Sequence, residues 1–137
     1  MKAYVYKARD LMRDPITITP DTKIAEALTL VLNQGIGSLV VVDEGRVVGI
    51  VTKRDLLWAV KAGYDLANTS VEAVMTKNVI TVTPDTDILT VVNTMLNNNI
   101  SHLPVVEDGK LVGIISDHDL VDVLAVLLEH VKMSREK

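Results

Sequence analysis

The sequence predicts a mixed α/β fold of the α+β kind, in which a β-α-β-β-α unit occurs twice in tandem. The main observation is an internal duplication: when the chain is shifted by 64 residues, residues 17–60 align with 81–124, and 18 of the 44 aligned positions are identical. In addition, stretches of helical and of strand periodicity follow each other in the same order in both copies. Two copies with a period longer than about 50 residues indicate a pair of domains and not a solenoid.

Each copy begins with a short strand and an amphipathic helix. The strands are predicted from apolar runs at residues 16–18 and 79–82. In the first copy, apolar residues recur with i, i+3, i+4, i+7 spacing from Ile24 onward, and Gly35 is placed to end the helix. The second copy repeats the pattern from Ile88, with Asn98 or Asn99 as the predicted end of its helix.

A β-hairpin follows the helix in each copy. Its two apolar runs lie at 39–42 and 47–51 in the first copy and at 103–106 and 111–115 in the second. The first pair of runs flanks an Asp-Glu-Gly turn that ends at Gly45, and the second flanks a Glu-Asp-Gly turn that ends at Gly109. Apolar, β-branched runs that are separated by a short acidic and glycine turn are typical of hairpins.

A polar tetrad and a final helix complete each copy. The tetrads are TKRD at 52–55 and SDHD at 116–119, and the apolar helices that follow are predicted at 56–62 and 120–131. The predicted domains are a first repeat at 7–63, a linker at 64–70 and a second repeat at 71–133. Because a unit of about 60 residues buries only about 60% of its unfolded surface, we expect the two repeats to pack on each other.

Composition narrows the class of protein. The chain is 48% apolar, has no Cys and carries a net charge of -4. Its Lys and Arg residues are scattered, so nucleic acid is an unlikely partner. The sequence has no apolar run of about 20 residues, and its start lacks a secretory signal, so we expect a cytoplasmic protein that does not enter a membrane. The absence of Cys argues against disulfides, thiolate metal sites and cysteine nucleophiles.

The repeated motifs resemble a tandem pair of cystathionine beta-synthase (CBS) domains. The segments that carry the resemblance are IGSLVVVDEGRVVGIVTKRDL in the first copy, with MTKNVITVTPDT and ISHLPVVEDGKLVGIISDHDL in the second. It implies two repeats that pack about a pseudo-twofold axis and bind AMP, ADP, ATP or S-adenosylmethionine in clefts between them. Family members often regulate an attached enzyme, channel or transporter. Because 137 residues leave no room for one, we expect a stand-alone pair that reports energy state to a regulated partner.

The tetrads have two interpretations. From the residues alone, Thr52 and Ser116 are helix N-caps, and Asp55 and Asp119 complete capping boxes. The resemblance implies instead that the two aspartates accept hydrogen bonds from the ribose hydroxyls, while the Thr and Ser contact phosphate. The interpretations are compatible, because the amides at a helix start also form an anion site.

The inner residues of the tetrads predict unequal phosphate sites. Lys53 and Arg54 place two cations beside a phosphate, whereas Asp117 adds a repelling carboxylate and His118 a weakly basic ring. We therefore expect the first site to tolerate more phosphate charge. The alternative for Lys53 and Arg54 is a solvated helix start. The predicted phosphate-binding residues are Thr52, Lys53, Arg54, Ser116 and His118.

The resemblance also implies an adenine pocket in each half. Its predicted residues are Ile16, Thr17, Ile36, Ser38 and Val40 in the first half and Val79, Ile80, Ile100, His102 and Pro104 in the second. The second half follows the family pattern better, since the first has Ser38 in place of His and Val40 in place of Pro. The alternative for the apolar residues is plain core packing.

The final helix predicts a homodimer. Its apolar residues cover much of its circumference, and they are Leu120, Val121, Val123, Leu124, Val126, Leu127, Leu128 and Val131. A helix that is apolar on more than one face is seldom left in water. Family members form head-to-head or head-to-tail dimers, and the sequence leaves the arrangement open. Trp58 on the corresponding helix fits either the interface or the core.

Catalysis is not expected. His118 and Asp119 are also found in metal-dependent phosphohydrolases, but the only other histidines are His102 and His130, which are too few for such a site. Ser116, His118 and Asp119 are too close in sequence to form a catalytic triad. We expect a non-enzymatic regulatory module that needs no cofactor and has no metal. The alternatives are a ligand-free structural or protein-interaction module and, third, a phosphohydrolase.

Overall fold

The computed structural model describes residues 6–135, except for the side chains of Leu127 and of residues from 130 onward. Within this range the elements follow the predicted order and confirm the α+β class. They are α1 (Ala8–Leu11), β1 (Thr17–Ile18), α2 (Ile24–Gln34), β2 (Ser38–Asp43), β3 (Arg46–Thr52), α3 (Lys53–Lys61), a 3-10 turn (Val71–Ala73), α4 (Ile88–Asn98), β4 (His102–Glu107), β5 (Lys110–Ser116) and α5 (Asp117–Arg135). None of the helices in the described range is both long and apolar enough to cross a bilayer.

The chain divides into two compact units. One contains residues 15–80 together with 108–111, and the other contains the described residues 6–14, 81–107 and those from 112 onward. Residues 6–14, here called the N-terminal segment, lie at the start of the first repeat in sequence but pack in the unit that is formed mainly by the second.

In the first unit, β1, β2 and β3 form one sheet in that order. Strand β1 runs parallel to β2, and β2 pairs with β3 in an antiparallel hairpin. The hairpin turn at Glu44 and Gly45 has positive φ at both residues, 51° and 80°. This is the backbone of a two-residue turn that matches the twist of a hairpin, so the predicted turn is confirmed.

The core of the first unit lies between this sheet and helices α2 and α3. Its buried residues are Ile18, Ile24, Ala27, Val31, Leu39, Val41, Val51, Leu56, Ala59 and Val71. Helix α2 ends where the sequence predicted, because Gly35 adopts the left-handed conformation with φ 63°. The start of α2 is tied to the connecting segment (residues 63–76): the amide of Ile24 donates to the Thr69 carbonyl over 2.9 Å.

In the second unit, β4 and β5 form a two-stranded sheet, and Val82 adds a single parallel bridge to Val105. The strand predicted at 79–82 is therefore reduced to one residue pair. The cause is Pro104. In the first unit the amide of Val40 donates to the Ile16 carbonyl, but Pro104 occupies the position equivalent to Val40 and has no N–H.

The N-terminal segment completes the core of the second unit. Ala8 and Leu11 are buried with Val82, Ile88, Val91, Met95, Leu103, Val105 and Ile115. The backbone of the segment is also fixed, because Arg13 and Ile114 exchange both of their amide hydrogen bonds at 2.9 Å. Neither α1 nor this packing was predicted. Helix α4 runs to Asn98 and is capped by Asn99, which has φ 52° and confirms one of the two predicted stops.

Each hairpin contains a glycine that lies against a methionine: Gly49 against Met75 and Gly113 against Met12. A Cβ atom added to Gly49 would lie 2.5 Å from Met75 Sδ, and one added to Gly113 would lie 2.6 Å from Met12 Sδ and 2.7 Å from Met12 Cβ. Real Cβ atoms do not approach other atoms this closely. The absence of a side chain at both glycines therefore lets the two segments approach the sheets.

Both helices that follow a tetrad begin earlier than predicted. Helix α3 starts at Lys53 and α5 at Asp117, because Thr52 and Ser116 end the strands and the remaining tetrad residues form the first helical turn. On α5, Leu120 and Val123 pack against the core, whereas Val121, Leu124, Val126 and Leu128 are exposed. The predicted apolar residues Leu127 and Val131 lie outside the described side chains.

Candidate functional site

The first tetrad forms a capping box at the start of α3. The Thr52 amide donates to Asp55 Oδ2 over 2.9 Å, and the Asp55 amide donates to Thr52 Oγ1 over 3.1 Å. The Lys53 amide is held by the Gly37 carbonyl at 2.9 Å. The capping interpretation of this tetrad is confirmed. Asp55 is half-buried, and within the described part of the chain its Oδ1 atom takes part in no hydrogen bond or ion pair.

Lys53 and Arg54 occupy the first turn of α3 with exposed side chains. The amides at this end of a helix carry partial positive charge, so two cations are unfavourable here unless an anion is close. Both predicted phosphate ligands therefore reach solvent, at a helix end that favours an anion.

The second tetrad forms the same reciprocal pair at the start of α5. The Ser116 amide donates to Asp119 Oδ2 over 2.9 Å, and the Asp119 amide donates to Ser116 Oγ over 3.3 Å. The Ser116 hydroxyl also donates to Asp119 Oδ2, at 3.1 Å. The Asp117 amide bonds to the Ser101 carbonyl, which matches the bond between Lys53 and Gly37 in the other tetrad. Asp117 and His118 are exposed.

An arginine from the N-terminal segment distinguishes the second tetrad. Arg13 Nε lies 2.6 Å from Asp119 Oδ1, and Arg13 Nη2 lies 3.9 Å from Asp122 Oδ2. The Asp119 side chain is 6% exposed, whereas that of Arg13 is 66% exposed. Sequence reasoning missed Arg13 because 106 residues separate it from Asp119. The 64-residue duplication does not link the two residues, because Arg13 precedes the aligned stretch that begins at residue 17.

In the first unit, the strand register brings the predicted adenine residues close to the tetrad. Ser38 pairs with Thr52 across the hairpin, and Thr17 pairs with Val40. Val40 is almost fully buried and Ser38 is 9% exposed, whereas Thr17 is exposed. The predicted residues Ile16 and Ile36 are half-buried and pack on the core. Core packing is thus an established role for most of this set.

In the second unit, Ile100, His102 and Pro104 lie together on β4 and at the entry to it. Pro104 is fully buried, and the other two are half-buried. The predicted residues Val79 and Ile80 belong to the other compact unit. The structure therefore groups three of the five adenine-pocket residues predicted for this half.

His102 is electrostatically unusual. Its Nδ1 is the one buried side-chain nitrogen or oxygen in the described part of the chain without a hydrogen-bond partner. Burial lowers the pKa of the His102 imidazole below its ordinary value, and the Asp117 and Asp119 carboxylates offset part of that effect. His102 is therefore within the electrostatic influence of the predicted ribose ligand Asp119, and its Nδ1 bonds to none of the described residues.

A metal centre was not expected. Among residues whose side chains are described, no group of three or more His, Cys, Asp and Glu residues is arranged to hold a metal ion. Asp117, His118 and Asp119 lie on one helical turn, where Asp119 is already engaged by Ser116 and Arg13.

The family comparison matches both halves of the chain. The model of the CBS domain matches residues 8–62 and again residues 71–126. An uncharacterised 17.7 kDa protein of Acidianus ambivalens is 43% identical over 109 residues, which are 78% of this chain and 65% of that protein. The inosine-5'-monophosphate dehydrogenase of Thermoplasma acidophilum is 41% identical over 112 residues, 81% of this chain but 22% of the enzyme. The chain thus spans less than two thirds of these relatives.

Solved structures resemble the chain over most of its length. The CBS domain pair of protein MJ0100, in complex with 5'-methylthioadenosine and S-adenosyl-L-methionine, has a TM-score of 0.80 and 32% identity, covering 88% of this chain and 96% of that one. The CBS domain protein PAE2072 from Pyrobaculum aerophilum, complexed with AMP, has a TM-score of 0.82 and 29% identity, covering 93% of this chain and 99% of that one.

Proposed function

The chain belongs to the CBS domain family, and on that premise we propose that its two tetrads bind adenosine-containing ligands and that it passes their presence to a regulated partner. The support from relatives is that two proteins of similar fold were crystallised with adenosine compounds: AMP in one, and 5'-methylthioadenosine with S-adenosyl-L-methionine in the other. The module itself catalyses no reaction in this proposal. It acts in the cytoplasm.

The observation that carries the proposal is the repeated tetrad geometry. In both units an aspartate sits within hydrogen-bond distance of the first amide of its tetrad, at 2.9 Å, directly at a helix start. A carboxylate offers two acceptor oxygens, which suits the two hydroxyls of a ribose. The helix start beside it favours an anion. Diol acceptor and anion site are therefore adjacent, as a nucleotide requires.

Each remaining residue has a proposed role in the same arrangement. Thr52, Lys53 and Arg54 contact phosphate in the first site, and Ser116 and His118 do so in the second. The base lies against the residues predicted for the adenine pockets, with Thr17 and Ser38 available in the first half and His102 in the second. The two cations of the first tetrad make it the better site for ATP, and AMP or ADP fits either tetrad.

The ligand changes the regulated partner only through a difference in affinity between two arrangements of the chain. We propose that the protein works as a homodimer, in which the exposed apolar side chains of α5 form the contact. Val121, Leu124, Val126 and Leu128 are each more than half exposed on this helix. Trp58 is 54% exposed and meets Tyr64 edge-on, and its exposure supports a role for it in the proposed interface.

The second candidate function is a protein-interaction module that binds no ligand. Two observations favour it: Asp119 is already satisfied by Ser116 and Arg13, and apolar side chains on α3 and α5 are exposed. It predicts the dimer but no effect of nucleotides, so the two candidates separate in one experiment.

Calorimetric titration of dialysed protein with AMP, ADP, ATP and S-adenosylmethionine tests the proposal. We expect binding, together with a rise in melting temperature, because a ligand that binds only the folded state stabilises it. Asp55→Ala and Asp119→Ala should each weaken binding at one site. Asp87→Ala is the matched control, since Asp87 caps α4 through a 2.8 Å bond to the Thr90 amide and lies outside both tetrads. If both tetrad variants keep their affinity and only their melting temperatures fall, the tetrads act as helix caps and do not bind the ligand.

Light scattering tests the dimer. We expect a particle of twice the 15.0 kDa chain mass at micromolar concentration, and Leu124→Glu should convert it to a monomer because a charge would be buried at the contact. Thr90→Glu, a change on the exposed side of α4, is the control. A monomer in the unmodified protein at high micromolar concentration would contradict the homodimer.

A further inference from the structure

The two tetrad carboxylates differ in how much of their accepting capacity is already used. An ionised carboxylate has about four lone-pair sites. Among the described residues, one site of Asp55 is taken, by the Thr52 amide. In Asp119 three are taken, two on Oδ2 by the Ser116 amide and hydroxyl and one on Oδ1 by Arg13 Nε. A ribose that donates two hydroxyl hydrogens to Asp119 must therefore share or displace one of these donors. As long as the Ser116 hydroxyl stays on Oδ2, that donor is the guanidinium of Arg13.

Arg13 can move its side chain without releasing its backbone. The backbone is held by two reciprocal 2.9 Å bonds to Ile114, and Ala8 and Leu11 anchor the N-terminal segment in the core. The side chain, in contrast, is 66% exposed and meets the protein through Asp119 and the more distant Asp122. A change at this site is therefore a rotation of one side chain and not a release of the segment.

We propose that Arg13 is the specificity-determining residue of the second tetrad: its guanidinium holds Asp119 when no ligand is bound and turns to an anionic group of the ligand when the ribose takes Asp119. The inference rests on the proposed function, in which Asp119 is a ribose ligand. It assigns to the second tetrad a preference for adenosine compounds that carry a negative charge near the ribose.

The charges around the tetrad support this assignment. In the first tetrad the cations are internal, at Lys53 and Arg54, whereas the second has Asp117 and His118 at those positions. Arg13 is the cation that the fold brings to Asp119 from outside the tetrad. A neutral nucleoside would displace it from a carboxylate and offer nothing in return, whereas a phosphate offers a bidentate partner for the planar guanidinium.

The test compares adenosine with AMP, which share base and ribose and differ in the phosphate. Both are titrated calorimetrically at pH 8 into Asp55→Ala protein, so that the second tetrad is observed alone. We expect AMP to bind at least about tenfold more tightly than adenosine, the size of one charge-assisted hydrogen bond. Adding Arg13→Ala should raise the affinity for adenosine and lower that for AMP, which brings the ratio toward one.

Two further variants control the comparison. Arg9→Ala removes an arginine of the same segment that pairs with Asp85, and it should leave the ratio unchanged. Arg13→Lys keeps a positive charge and should retain part of the preference for AMP. Thermal melts identify any variant that fails to fold, in which case Arg13→Gln replaces Arg13→Ala.

Two outcomes would overturn the inference while the proposed function stands. Equal weakening of both ligands by Arg13→Ala would mean that Arg13 only supports Asp119, and unchanged affinities would mean that the ion pair is irrelevant to binding. Failure of the proposed function has a different signature, namely binding that persists unchanged when Asp55 and Asp119 are both replaced by Ala. That result would overturn the inference with it.

Discussion

The two tetrads start their helices with the same hydrogen bonds but lie in different electrostatic surroundings. Thr52 and Asp55 exchange two bonds, as do Ser116 and Asp119. Yet the first tetrad carries its own cations and leaves Asp55 half-buried, whereas the second carries Asp117 and has its buried aspartate neutralised by Arg13. The comparison teaches that a duplicated backbone arrangement can be kept while the charges around it diverge.

The largest effect on stability is expected from substitution of Gly49 and Gly113, the two glycines that lie against methionines. In Gly113→Ala the new Cβ would lie 2.7 Å from Met12 Cβ, an atom that moves only with its backbone. In Gly49→Ala the close atoms are Met75 Sδ and Cγ, nearer the flexible end of the side chain. We expect Gly113→Ala to lower the free energy of unfolding by about 3 kcal/mol and Gly49→Ala by about 1 kcal/mol, within the range for overpacking. Urea denaturation measures both, and equal losses would contradict the difference.

The next effect concerns the aspartates. Asp119→Ala removes an acceptor of three hydrogen bonds that is buried, and Asp55→Ala removes an acceptor of one that is half-buried. We expect Asp119→Ala to cost about 2 kcal/mol of unfolding free energy and Asp55→Ala about 1 kcal/mol. Denaturation without nucleotide checks this. A larger loss for Asp55 would show that the ion pair with Arg13 contributes nothing to stability.

A smaller effect is expected on the affinity of the first tetrad for nucleotides of different charge. Arg54→Ala should weaken ATP about fivefold and AMP less, because one exposed charge contact contributes about 1 kcal/mol. Lys61→Ala, on the exposed last turn of the same helix, is the control. Calorimetry in Asp119→Ala protein isolates this site, and equal weakening of both nucleotides would mean that Arg54 does not contact the phosphates that distinguish them.

The smallest effect is expected on the pH dependence of stability, to which His102 contributes. Burial lowers the pKa of this imidazole in the folded protein, so the unfolded chain binds the proton more tightly. The stability that the neutral ring contributes is present above the unfolded value of 6.5 and is lost as the pH falls through the lower folded value. His102→Ser, which copies Ser38 of the other unit, should flatten the stability profile below pH 6.5. An unchanged profile in His102→Ser would contradict the burial argument.

The duplication made much of the fold predictable. The turn residues Gly45 and Gly109, and the helix ends at Gly35 and Asn99, lie where the sequence placed them, because positive φ restricts the residue type. The prediction of a full strand at 79–82 was wrong. It followed from the apolar residues of that run, but Pro104 on the neighbouring strand has no N–H to donate to it. A tertiary hydrogen-bond requirement thus overrode local β-propensity.

The candidate site was predictable only in its local part. The capping boxes follow from residues three apart, so the sequence could indicate them. The contact between Arg13 and Asp119 joins residues 106 apart, and Arg13 lies in a segment with too few apolar positions to show a period. The sequence indicated Asp119 as a site residue, but only the folded structure shows that Arg13 neutralises its charge.

The N-terminal segment has a consequence for how the chain can be divided into fragments. Residues 6–14 supply Ala8 and Leu11 to a core whose other members begin at Val82. A fragment that starts at residue 71 would contain the whole second repeat and still leave that core open on one side. The second repeat in the sequence and the compact unit that contains it therefore differ by these nine residues. Transplanting the second repeat into another protein would require residues 6–14 as well.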